Sequence, residues 1–211
     1  MVMIRRTSMV FLSHPNSIIS QRARMVLTEK GVNADIEYVD LEDPSEDFLQ
    51  LNPYKTLPVL VDRDLVLNQS NVIMEYLDER FPHPPLLPVY PISRAKSRLM
   101  IHRIEQDWYT LLGDIENNRD PDKARELIIS QLQSIVPAFK EMPYFLSSEF
   151  SLVDCCIAPV LWRLPAYGIT LSDDMKPLQD YMDRIFERTG FQASLSEEEL
   201  LIRDMYGYDD E

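Results

Sequence analysis

Asn52-Pro53-Tyr54-Lys55-Thr56-Leu57-Pro58-Val59-Leu60-Val61-Asp62-Arg63-Asp64-Leu65-Val66-Leu67-Asn68-Gln69-Ser70 is the stretch that decides the fold. Its two apolar runs, 57–61 and 65–67, are parted by Asp62-Arg63-Asp64, which predicts an antiparallel hairpin. Pro53 closes the element before it, because a residue preceding proline is pushed out of the helical region. Pro58 has no N–H to give to a strand ladder, so it marks an edge, a special turn or simply the first residue of a strand. A cis Leu57-Pro58 bond there would turn the backbone of Leu57 and Val59 outward as a docking edge. Ser70 opens a helix reaching about Arg80, with Val72, Ile73, Tyr76 and Leu77 expected on its inner side.

Upstream, Met9 to Leu12 reads as a strand ending at the turn Ser13-His14-Pro15-Asn16. From Ser17 the spacing is helical, with Ala23, Val26 and Leu27 on one face and Gly31 suited to the position after the helix end. Ile36 to Val39 alternates like a half-buried strand, and Asp43 to Leu51 reads as a short helix. The first eighty residues therefore run β-α-β-α-β-β-α. The first two strands flank a helix and should be parallel; the last two should be antiparallel. The economical arrangement is an α/β domain with a mixed four-stranded sheet covered by helices; with Pro58 at a strand entry, this order resembles the thioredoxin-like folds.

Downstream the character changes. Phe81-Pro82-His83-Pro84-Pro85 and Leu87-Pro88-Val89-Tyr90-Pro91 form a proline-rich connection, and only helical periodicity follows. Ile101, Ile104, Trp108 and Leu111 recur at three- and four-residue steps, as do Ala124, Ile128, Leu132, Ile135 and Phe139. Leu152 to Leu164 is apolar enough to be a buried helix; Pro177 to Arg188 and Glu197 to Met205 complete the set. The division expected is a first domain over 1–86, a linker over 87–91 and an all-α domain over 92–211 ending in an acidic tail.

The formal net charge is −14 and the pI about 4.6. Such a chain repels phosphate backbones, which argues against direct nucleic-acid binding. The acid is concentrated in Asp35–Asp47 and Glu197–Glu211, which are either solvated faces or patches that steer a basic partner. Cys155 and Cys156 are adjacent, cannot readily bridge each other and have no metal-ligand spacing around them, which suits a reducing cytoplasm. The N-terminal apolar run is too short for a signal segment, and no segment approaches membrane-spanning length.

Ser151-Leu152-Val153-Asp154 is a capping box, with Phe150 placed to staple onto Cys155. Ser17 at a helix start reads as an N-cap. His14 and His102 lack partners at catalytic or metal spacing. His102 sits with Arg94, Lys96, Arg98 and Arg103 on one helix, a basic cluster that is a solvated face, a dimer contact or a partner contact.

Asn52-Pro53, Leu57-Pro58-Val59-Leu60 and Gln69-Ser70 together resemble the glutathione-binding half of a glutathione transferase, which implies the soluble glutathione transferase fold. In that family the proline turn presents backbone to glutathione, and an acidic residue plus serine at the next helix binds its γ-glutamyl group. The resemblance therefore implies a glutathione site, vestigial or working, at Ser17, Leu57, Pro58, Val59, Gln69 and Ser70. Gln69 stands where the family has glutamate and lacks the charge that answers the ligand's ammonium.

A second resemblance is more specific. Met74-Glu75-Tyr76-Leu77-Asp78-Glu79-Arg80-Phe81-Pro82-His83-Pro84-Pro85-Leu86 with Pro88-Val89-Tyr90-Pro91 is very similar to the stringent starvation protein A family. So are His102-Arg103-Ile104-Glu105, Asp107-Trp108-Tyr109, and Pro143 to Ser147 running into Glu149 to Cys155. This resemblance, from about Met9 to Leu195, implies a non-enzymatic homodimer on the transferase fold that associates with RNA polymerase holoenzyme in starvation and stress. It implies a surface pocket around Pro82, His83 and Pro84, with Tyr90 as neighbour; the bland reading of these residues is a stiff connector. No cofactor is expected. The alternative is a glutathione-dependent transferase or isomerase using Ser17, and a mixed dimer with a related chain is a third reading.

Overall fold

Alternation and turn chemistry produce the expected first-domain order. In a computed structural model that describes residues 8–206, strand β1 (Met9–Ser13) leads through α1 (Ile18–Glu29) to β2 (Ala34–Tyr38). Helix α2 (Glu46–Leu51), strands β3 (Val59–Asp62) and β4 (Leu65–Leu67), and α3 (Ser70–Arg80) follow. Residues 1–7 of the N-terminal segment and 207–211 of the acidic tail lie outside the described residues. The sheet order is β2-β1-β3-β4; β2 runs parallel to β1, whereas β3 is antiparallel to both β1 and β4.

Side chains alternate across the strands, so each face has its own partners. Val10, Leu12, Val59 and Val61 form one core with Phe48 of α2. Phe11 and Leu60 are register partners on the other face, fully buried, where α3 packs on β3 and α1 packs on α3. Among the described residues β2 pairs only with β1, and it is largely exposed rather than half-buried as its alternation suggested. Its acidic residues suit an open edge, because charge there discourages pairing with another chain. In α3, Ile73, Met74 and Leu77 are buried while Val72 faces solvent.

Helices α4 (Pro91–Ile104), α5 (Thr110–Glu116), α6 (Pro121–Ile135), α7 (Ala138–Glu141), α8 (Leu152–Trp162) and α9 (Lys176–Phe186) build the second unit. All of α8 is buried, as expected for a helix apolar all round. Ser151 accepts from the Val153 N–H, and Asp154 accepts from the Ser151 N–H, so the capping box forms. Between α4 and α5, Glu105–Tyr109 is a π-helical turn. Its wider turn shifts the phase of the apolar stripe, which is why Leu112 rather than Leu111 is buried after Trp108.

The compact units are Met1–Pro84 with Thr189–Leu200, and Pro85–Arg188 with Leu201–Glu211. They differ from the sequence division, which kept 189–200 with the helical domain. That segment holds α10 (Thr189–Ser194) and the start of α11 (Glu197–Tyr206), and α10 packs on α1. Two features explain this. A Cβ on Gly190 would come within 2.4 Å of the Glu29 side chain, so glycine permits the close approach. Arg24, 1% exposed, donates to Ser13 Oγ, to the carbonyls of His14 and Ser194, and to the Glu199 carboxylate.

Two stability predictions follow from buried charge. Removing one member of a desolvated ion pair leaves the other uncompensated, so Glu199→Ala should destabilise the first unit by about 3–5 kcal/mol in urea unfolding. A loss under 1 kcal/mol would mean that the pair is solvated. In the second unit, burial pushes the Asp154 carboxyl above its ordinary value, while donors from Phe145 N, Tyr181 Oη and Ser151 pull it back. Tyr181→Phe removes one of those donors and should cost about 1–3 kcal/mol, read as a lower urea midpoint.

Candidate functional site

The turn into β3 places the first group of candidate residues. Leu57-Pro58 is cis, Leu57 is half-buried, and Pro58 and Val59 are buried at the head of the strand. Asn52 sits behind this turn, its amide donating to the Thr56 carbonyl at 2.6 Å. Ser17 is the N-cap of α1, in extended backbone, with Oγ accepting from the Ser20 N–H at 3.3 Å. Accepting that bond uses a lone pair and leaves the hydroxyl proton for another acceptor.

Gln69 is the N-cap of α3 by backbone position, with no capping bond from its side chain, and is exposed. Ser70 follows it, 4% exposed, and its Oγ accepts from Arg22 Nε at 2.7 Å and from Nη2 of the same guanidinium. Arg22 is itself buried. The serine expected to meet a γ-glutamyl group therefore already serves an internal cation of α1. Sequence reasoning missed this because an arginine inside a helix ordinarily reads as solvated.

The second group lies where α3 ends. Phe81 is half-buried; Pro82, His83 and Pro84 are exposed, with a cis bond between His83 and Pro84. Lys30, the C-cap of α1, reaches this loop. Its Nζ is paired with Asp78 at 2.6 Å and donates to the Phe81 carbonyl at 2.8 Å and to the Pro84 carbonyl. Lys30 also escaped the sequence reading; its signal was only a basic residue at a helix end next to Gly31.

In the second unit, Tyr90 is 77% exposed and Val89 81% exposed, just before α4. A groove of about 740 Å³ runs beside them, lined by residues of 85–89, by Lys96, Met100 and Arg103 of α4, and by residues of 142–153. Tyr90 is not among its lining residues, and neither are Pro82, His83 and Pro84. Lys96 and Arg103 come from the basic cluster, while His102 is exposed outside the groove. No group of His, Cys, Asp or Glu able to hold a metal occurs among the described residues.

Residues 16–80 match the glutathione S-transferase N-terminal domain and residues 99–189 its C-terminal domain. Among solved structures, glutathione transferase Omega 3C from Trametes versicolor superposes with a TM-score of 0.81 at 22% identity, covering 95% of this chain and 91% of that one. A likeness at that identity shows the fold. The chain is 50% identical over 208 residues to the stringent starvation protein A homolog of Coxiella burnetii, covering 97% of this chain and all of that protein. The chain belongs to the stringent starvation protein A family. The homolog from Pasteurella multocida agrees, at 52% identity over 194 residues, 90% of this chain and 92% of that one. Membership in the stringent starvation protein A family rests on these relatives, and the transferase fold carries both groups of candidate residues. No helix among the described residues is long and apolar enough to cross a membrane.

Loss of a serine cap costs about 0.5–2 kcal/mol. Ser17→Ala should lower stability within that range in thermal or urea unfolding, without altering the helical signal at 25 °C. A neutral substitution would mean that the Ser17 hydroxyl is not holding the end of α1.

Proposed function

We propose that this protein is a non-catalytic transcription regulator that binds RNA polymerase holoenzyme in starvation and stress, through a surface centred on Pro82, His83 and Pro84 with Tyr90. The observation that carries this reading is identity of 50% across essentially the whole length of a stringent starvation protein A homolog. Regulation through protein contact also suits the charge. At a net −14 the chain is poorly suited to phosphate backbones, so its route to transcription runs through a protein partner. The working form is a cytoplasmic homodimer, in keeping with the family.

The chemistry of the loop supports a docking role. Prolines have little conformational freedom to lose on binding, which lowers the entropic cost of ordering the surface. An exposed histidine and tyrosine add polar tips on apolar bodies, the amphipathic kind of side chain favoured at interfaces. The glutathione reading is disfavoured by the other group: Gln69 lacks the carboxylate charge, and the buried Ser70 oxygen accepts from Arg22.

His83→Ala should reduce co-elution with RNA polymerase holoenzyme at least tenfold in apparent affinity while the unfolding midpoint stays within 1 °C of the parent. Binding equal to that of the parent would overturn the proposed surface, and failure of the unmutated protein to bind at low or physiological salt would overturn the function. In a parallel assay the protein should pass through immobilised glutathione unretained. Retention, with turnover lost in Ser17→Ala, would establish the transferase reading instead.

A further inference from the structure

Pro82, Pro84 and Pro85 have no backbone N–H, so a loop built from them can be fixed chiefly through its carbonyls. Two of those carbonyls, Phe81 and Pro84, flank Pro82-His83, and both accept from the ammonium of Lys30. An ammonium has three protons to donate, and the third bond goes to Asp78 Oδ1 at 2.6 Å. The Lys30 side chain is wholly buried and that of Asp78 is 5% exposed. Burying a cation is costly unless it is paired and fully hydrogen-bonded, and here each proton has an acceptor. Lys30 lies at the end of α1, 51 and 54 residues from the two carbonyls that it holds, so the contact is a tertiary one.

We infer that Lys30 is the positioning residue of the His83 loop: its ammonium, charge-balanced by Asp78, sets the conformation in which Pro82, His83 and Pro84 meet a partner protein. Lys30 itself touches no partner. The inference rests on the proposed polymerase-binding function and names how that surface is held. A plain staple of the fold would also bury this lysine, but it would not make loss of Lys30 depend on the presence of His83.

The test uses Lys30→Met combined with Asp78→Leu, which removes both charges together and so avoids stranding one in the interior, a kind of exchange often tolerated. Lys30→Arg, which keeps the charge and the donors, serves as the conservative variant. Co-elution with RNA polymerase holoenzyme is measured for the parent, the double substitution, His83→Ala and their combination. The double substitution should weaken binding at least tenfold, add less than twofold on the His83→Ala background, and broaden or shift the His83 ring signals in NMR. Lys30→Arg should restore binding to within about threefold of the parent. Parent-level binding by the double substitution, or a loss that multiplies with that of His83→Ala, would overturn the assignment. If the double substitution does not fold, Lys30→Arg decides: an unmoved His83 signal with parent-like binding supports the clamp, and an altered signal with parent-like binding overturns it. Lack of binding by the parent sinks the proposed function rather than the clamp, whose effect on the His83 signals is read without polymerase.

Discussion

The buried cations of helix α1 and its C-cap are the constraint on which the first unit depends. Arg22, Arg24 and Lys30 are all buried, and each must find acceptors or be expelled by the cost of desolvation. Arg22 is directed to Ser70 at the start of α3, and Arg24 to Ser13, Ser194 and Glu199. Lys30 is directed to Asp78 and the loop after α3. One helix thereby fixes the end of β1, both ends of α3 and the segment 189–200. Ion pairs of this kind are weak evidence for stability, since apolar residues of similar volume can do as well. What they supply here is direction: each guanidinium or ammonium donates to acceptors on particular distant segments.

That arrangement explains how one scaffold carries two different surfaces. The turn at Leu57-Pro58, the α1 cap at Ser17 and the start of α3 at Gln69 are the places where the resemblance to glutathione transferases implies a ligand site. Yet the Ser70 hydroxyl is tied to Arg22 and Gln69 has no charge. The Phe81–Pro84 segment is rich in proline, carries an exposed histidine and is held by a buried cation.

Much of the first unit was legible because its signals are local. Alternating runs, Asp62-Arg63-Asp64 between two strands and Ser17 before an apolar stripe all act within a few residues, and so did Pro58. The capping box at Ser151 was readable for the same reason. The buried face of α5 was misplaced by one position because a π-helical turn changes the period, and no side chain in Glu105–Tyr109 announces it. The contacts of segment 189–200 carry no local signal because its partners lie far away in sequence: Gly190 against Glu29, Glu199 against Arg24. The candidate site was half legible. Its exposed residues were named from motif, whereas Arg22 and Lys30 carry no local signal, because Ser70 and the Phe81 and Pro84 carbonyls that accept from them lie 48, 51 and 54 residues away.

The central claim is that the surface at Pro82-His83-Pro84 and Tyr90 meets RNA polymerase. Photo-crosslinking reads this directly, with benzoylphenylalanine in place of Tyr90 and, as the comparison, in place of Tyr54, which is equally exposed at 77%. The account predicts a discrete crosslink from position 90 to a subunit of the holoenzyme, lost in His83→Ala, and none from position 54. A crosslink from position 54 alone, or one from position 90 that survives His83→Ala undiminished, would contradict it.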